Sequence, residues 1–215
     1  GLIPYRVMKE WKDFFLDPLG VVDKSASTPT DRFKDLIVAQ AISTVPMVLG
    51  LIPMMLMTTS LPGYSRTNMF SIGLSLVSII LAPAMMMAFH FVGFHFARLV
   101  GGSASLQAHY NAAILPSLSS TAMLLPYHVA YVLAMWTMLV PLVGCCTLLV
   151  ILPLALLAVG VALYSLYLHF LALRHVHRIS SFRTVLVMLV SLLLTGIVVA
   201  GIFAFEMALM PALPR

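Results

Sequence analysis

Residues 141–173 read PLVGCCTLLVILPLALLAVGVALYSLYLHFLAL and hold no formally charged side chain. Upstream, the charge-poor run continues to Leu36: across Leu36–Leu173 the only Lys, Arg, Asp or Glu are Arg66 and Arg98. Water-soluble domains are about one quarter charged and alternate apolar with polar positions, so that one face meets water. This chain is 9% charged and 61% hydrophobic, and the run hardly alternates. Lipid is the solvent for such a surface, and inside lipid the backbone has to satisfy its own polar groups. The sequence therefore predicts an all-α polytopic membrane protein.

A chain of 215 residues has room for about five spans of about 20 residues and short connections, with none left for a separate soluble domain. The expected division is residues 1–32 as a cytoplasmic or interfacial segment and linker, and 33–210 as a five-helix transmembrane domain. In the first part, Val7, Met8, Trp11, Phe14 and Phe15 recur at helical spacing among Arg6, Lys9, Glu10, Lys12 and Asp13. That pattern predicts an amphipathic helix, either lying in the membrane interface on Trp11, Phe14 and Phe15 or packed on a partner subunit or on its own bundle. Pro18 is expected to end it, with DKSASTPTDRF (23–33) as a polar linker. Residues 1–35 carry six Lys/Arg and six Asp/Glu without an uninterrupted apolar core, unlike a secretory signal.

The first span is expected over Phe33–Met57, kinked at Pro46 and Pro53, and the second over Met69–Leu99, interrupted by Pro83 and closed by a Gly101-Gly102-Ser103 turn. From Gln107 to Trp136, Pro116, Pro126, Tyr127 and His128 suggest a span over Tyr110–Leu125 followed by a re-entry. Pro141–Leu173 would be about 50 Å long as a helix, against a bilayer core of about 30 Å, so it must tilt, kink at Pro153 or protrude. Thr184–Phe205 is the last span. Gln107–Leu173 can hold two spans or three, and loop charge arbitrates. Five spans put ten Lys/Arg on one side, with Arg98, Arg174, Arg178 and Arg183 among them, against Arg66 and Arg215 on the other. The positive-inside rule thus favours five spans, a cytoplasmic N-terminus and an external C-terminus. The formal charge of +5 sits at membrane borders and is read as topology, not as a nucleic-acid surface.

Seven histidines in so apolar a chain invite a cofactor reading. His90 and His169, on different helices at similar depth, are the weak candidates for haem or metal, and His175 with His177 for a divalent ion. Against this, the bundle offers no carboxylate as second-shell partner. Neutral histidines bonded to headgroups or carbonyls account for the same residues, so no cofactor is expected. Met85–Met87 point around a helix instead of converging. Cys145 and Cys146, about 100° apart on a helix, cannot easily bridge. Gly196, Ala200 and Ala204, and Ala158 with Ala162, form small-residue faces that let helices approach closely. No metalloprotease, phosphate-loop, dinucleotide or Ser-His-Asp pattern is present, and the chain is not expected to be an enzyme.

Two stretches, RLVGGSASLQAHYNAAILPSLSS from Arg98 and YSLYLHFLALRHVHRISSFRTVLVMLV from Tyr164, together with the opening WKDFFLDPLGVV, resemble the Yip membrane family, the Ypt-interacting proteins and their bacterial relatives. In that family a double-glycine turn leads into a proline-bearing span. A later span ends in a leucine-arginine-x-x-histidine-like turn, which Leu173, Arg174, His175, Val176 and His177 match. The resemblance implies five spans and a cytoplasmic N-terminus. Gly1–Asp35 lacks the longer N-terminal region and Tyr-Gly-Pro motif of eukaryotic members, and Ser103 replaces a common basic residue, which points to a bacterial-type member of the inner membrane.

The functional expectation is contact without chemistry: an accessory or assembly subunit of a membrane complex, or a scaffold, whose partners are membrane lipids and other integral membrane subunits and not nucleic acid. The other classes are a small-molecule or ion transporter and a haem- or metal-binding electron-transfer subunit.

Overall fold

A computed structural model of the chain describes residues 13–14, 16–27, 33–60, 66–137 and 139–209. Among them the helices are α1 (Pro18–Ser27), α2 (Phe33–Ser60), α3 (Arg66–Leu99), α4 (Leu106–Thr137), α5 (Pro141–His177) and α6 (Ser181–Leu209), with no strand among the described residues.

Asp13, Phe14 and Leu16 are helical and Asp17 is not, so the helix expected to end at Pro18 ends there; Pro18 also opens a second helix, and the first part of the expected linker is helical. The local chemistry explains it. Asp17 accepts the Gly20 N–H at 3.1 Å on Oδ1, and Pro18 occupies the first helical position, where its missing N–H costs nothing. The face of α1 that carries Val22 and Ser25 is buried. Ser25 Oγ donates to the Asn111 carbonyl at 3.0 Å, and Asn111 Nδ2 donates to the Ser25 carbonyl at 3.2 Å, stitching α1 to α4. Phe14, expected at the membrane surface, is 1% exposed and packs with Val22, Ala112, Leu115, Leu168 and Ala172, which is the bundle-packed alternative. Trp11 and Phe15 lie outside the described residues. Asn111→Ala should loosen α1 by about 1–2 kcal/mol, since it leaves a buried carbonyl unpaired. Hydrogen exchange of the α1 amides reads this directly, and exchange at the wild-type rate would show that the stitch does not hold the helix.

α4 is the hub, packed on α5, α2 and α1, while α3 pairs with α6. Residues 106–137 form a helix bent by 43° between Thr121 and Met123, a geometry shared by a broken span and by the expected span followed by a re-entry. Pro126 has no N–H for the Ala122 carbonyl one turn back, and Thr121 Oγ1 bonds the Ser117 carbonyl at 2.9 Å, so the ladder is weakened at the bend. Carbonyls near two of the other prolines, Pro53 and Pro116, are met by neighbouring helices. Pro53 cannot serve the Leu49 carbonyl, which takes the Trp136 indole N–H at 3.2 Å; near Pro116, Ser165 Oγ donates to the proline's own carbonyl at 3.2 Å. Tyr131 lies over Gly50, where an added Cβ would stand 2.4 Å from its ring.

α5 runs unbroken for 37 residues with Pro153 inside it. Its Ile151–His177 segment and Ser181–Val198 of α6 are long and apolar enough to cross a membrane, and the bent halves of α4 make a third crossing if taken as one. Ala41–Pro53 of α2 is apolar but shorter. Of the five spans expected, two or three thus meet that test among the described residues. Leu152, Leu156, Leu163, Leu189, Leu193 and Ile197 are all more than half exposed, an outward apolar surface consistent with an integral membrane protein.

Candidate functional site

The turn after α3 and the turn after α5 meet at one end of the bundle. Gly101 has φ +95, and the Gly101 and Gly102 N–H groups bond the Arg98 and Ala97 carbonyls at 3.1 and 2.7 Å, so the double glycine closes α3 in a left-handed cap. Ser103 N–H then donates to the His177 carbonyl at 3.2 Å, and Arg183 Nη1 donates to the Val100 carbonyl at 3.0 Å. A Cβ on Gly102 would stand 2.6 Å from the Ala97 carbonyl oxygen and 2.5 Å from His177 Nδ1. Only glycine lets the two helix ends approach this closely.

Behind this junction four buried histidines from three helices form a chain of rings. His169 and His90 have centroids 5.4 Å apart, His90 and His109 6.3 Å, and His109 and His177 5.1 Å. His109 and His177 are fully buried, and His90 is 2% exposed. His109 Nε2 lies 2.9 Å from the His90 carbonyl, and its Nδ1 lies 2.8 Å from His177 Nε2. A carbonyl only accepts, so His109 Nε2 carries the proton; with His109 neutral, its Nδ1 accepts and His177 Nε2 donates. The free lone pair of His177 then falls on Nδ1, the atom that abuts Gly102. His169 bonds the backbone of Ala113. Neither His90 nitrogen has a hydrogen-bond partner, and the ring is held by contacts with Phe89, Tyr110, His109 and His169.

The expected pair His90 and His169 is thus brought together. Phe89 packs against both rings, at 5.3 and 5.7 Å, and among the described residues no group of three or more His, Cys, Asp or Glu is placed to hold a metal ion. The other expected pair comes apart. His175 and His177 sit in the last turn of α5, where residues two apart point to nearly opposite sides, and not in an extended turn where they would face one way. His175 turns outward and meets Asp23 Oδ1 at 2.6 Å, while His177 turns inward to His109. What the sequence reading did not single out is His109, which joins the two pairs; its position in the same stretch as the double glycine was the available signal.

Arg98, Arg174, Arg178 and Arg183 are exposed around this end, as a border role requires. Arg178 caps α5 in the left-handed region, at φ 55 and ψ 38. Gly196, Ala200, Ala204 and Ala162 are exposed and Ala158 is half-buried, and a Cβ on Gly196 would meet nothing within 4 Å. The small-residue faces are therefore open on the outside of the bundle, not spent on packing within the chain. Compared with protein-family models, curated proteins and solved structures, the chain matches none.

Proposed function

We propose that this chain is a five-span, non-enzymatic integral membrane protein of the bacterial-type Yip family that works by contact, as an accessory or assembly subunit of a larger membrane complex or as a scaffold. The observation that carries the reading is the open groove on α6, lined by Leu189, Leu192, Leu193, Gly196, Ile197 and Ala200. Small residues at spacing four let a second helix approach closely, and in lipid such packing drives association. Support for five spans comes from the two adjoining turns. With the α3–α4 and α5–α6 turns at one end, α4 and α5 run out and back between them, which suits two crossings and not three. Lys24, Arg98, Arg174, Arg178 and Arg183 then share the cytoplasmic side of a bacterial inner membrane, in line with the positive-inside rule.

Isolation in mild detergent followed by mass spectrometry should recover stoichiometric membrane partners. Filling the groove with Gly196→Leu and Ala200→Leu should cut their recovery at least about tenfold, the effect of about 1.4 kcal/mol in binding. A chain recovered alone, with saturable solute flux in liposomes, would replace this reading with the transporter.

A further inference from the structure

Where α1 lies across the end of α5, the two helices, Ala108 of α4 and the segment leading to α6 line a half-open cleft of about 880 Å³. Arg174, His175 and Arg178 line it with Asp23, and Leu19 and Leu171 belong to its apolar wall. The Asp23 carboxylate is held on the His175 imidazole at 2.6 Å, and the two guanidinium groups outnumber that one carboxylate and set the sign of the cleft. Guanidinium is the side-chain group whose fork of donors matches phosphate oxygens bidentately.

Two further observations narrow the ligand. The cleft opens at the end of the Ile151–His177 segment, the level at which a membrane passes from hydrocarbon to headgroups. Its volume falls in the range of sites for whole small molecules, well above what a bare phosphate fills, and its apolar wall offers nothing to a free inorganic ion. Arg178, moreover, is the only non-glycine residue with positive φ among the described residues, a conformation in which glycine would be less strained. Arg178 belongs to the lining of the cleft, so the residue in that conformation brings a guanidinium group to it.

We infer that this cleft binds the phosphate headgroup of an anionic phospholipid, with Arg174 and Arg178 on the phosphate oxygens and Leu19 and Leu171 against the glycerol and the first methylenes. The inference rests on the α5 span and not on the contact function, so the partner experiment can fail without touching it.

The test uses the full chain in mild detergent, supplied with phosphatidylglycerol, phosphatidylcholine or inorganic phosphate. Native mass spectrometry reads retained lipid, and thermal unfolding reads protection. Phosphatidylglycerol should be retained in preference to phosphatidylcholine, and Arg174→Gln and Arg178→Gly should each lower its retention about fivefold. Arg178→Gly should do so while unfolding at or above the wild-type temperature, because glycine relieves the left-handed cap, which separates lost binding from lost folding. Arg183→Gln, in the same basic turn but outside the cleft lining, should retain the lipid. Equal retention of the two lipids overturns the inference, as do unchanged retention in both cleft variants and an equal loss in Arg183→Gln. Protection by inorganic phosphate as strong as that by lipid also overturns it and assigns the cleft to a soluble anion.

Discussion

Gly102→Ala should destabilise the protein by about 2–3 kcal/mol, the upper part of the range for forcing atoms into a packed site. The new methyl group would stand 2.6 Å from the Ala97 carbonyl oxygen and 2.5 Å from His177 Nδ1. Rotating the imidazole away would break its 2.8 Å hydrogen bond to His109, and moving the carbonyl would break the 2.7 Å bond that Gly102 itself makes to Ala97. Neither neighbour can give cheaply. Gly101→Ala provides the comparison: its φ of +95 strains any side chain, and its nearest neighbour is the flexible end of Arg183, at 3.3 Å. A loss of about 1–2 kcal/mol is expected there, smaller than at Gly102. Thermal unfolding in one detergent, followed by circular dichroism, ranks the two. A Gly102→Ala protein that melts with the wild type would remove the junction between the α3 and α5 ends.

The histidine chain supplies the second large effect. His109→Leu keeps roughly the same volume but leaves the His177 Nε2 proton without an acceptor in a fully buried site, and His177→Leu leaves His109 Nδ1 without a donor. Each single replacement should cost about 2–3 kcal/mol, since an orphaned buried polar group bears its whole desolvation penalty. Replacing both removes both orphans. The double variant should therefore lose less than the sum of the singles, with a coupling of about 1 kcal/mol or more. Unfolding of the four proteins in the same detergent gives the cycle, and singles that add to within about 0.5 kcal/mol would mean that the two rings do not act as a pair.

The long helices were legible because their signals are local. Proline at position 141, glycines at 101 and 102 and the charge-free runs between mark ends and lengths without reference to the rest of the chain. The start of α1 is equally local: Asp17-Pro18 with Gly20 is a helix-start signal, and Pro18 marks both the end of the helical stretch before it and the beginning of the one after it. Pro126 marked the bend in α4, although a bend and a re-entry look alike in sequence. Depth along a span was enough to bring His90 and His169 under suspicion together.

The histidine assignments beyond that pair needed the packed bundle. Whether His175 and His177 face one way or opposite ways depends on whether α5 continues through them, and that in turn depends on the cap at Arg178 and on the double-glycine turn packed against it. His109 and His177 are 68 positions apart, and composition carries no information about which two rings in a greasy chain will share a proton. The same holds for Ser25 with Asn111 and for the cleft between α1 and α5. Solvent preference is additive along a chain, so residue order alone decided that the protein is helical and apolar on its outside. Hydrogen-bond pairing is not additive: it needs two particular atoms within about 3 Å, and only the antiparallel return of α5 along α4, with α3 capped against its end, brings those atoms together.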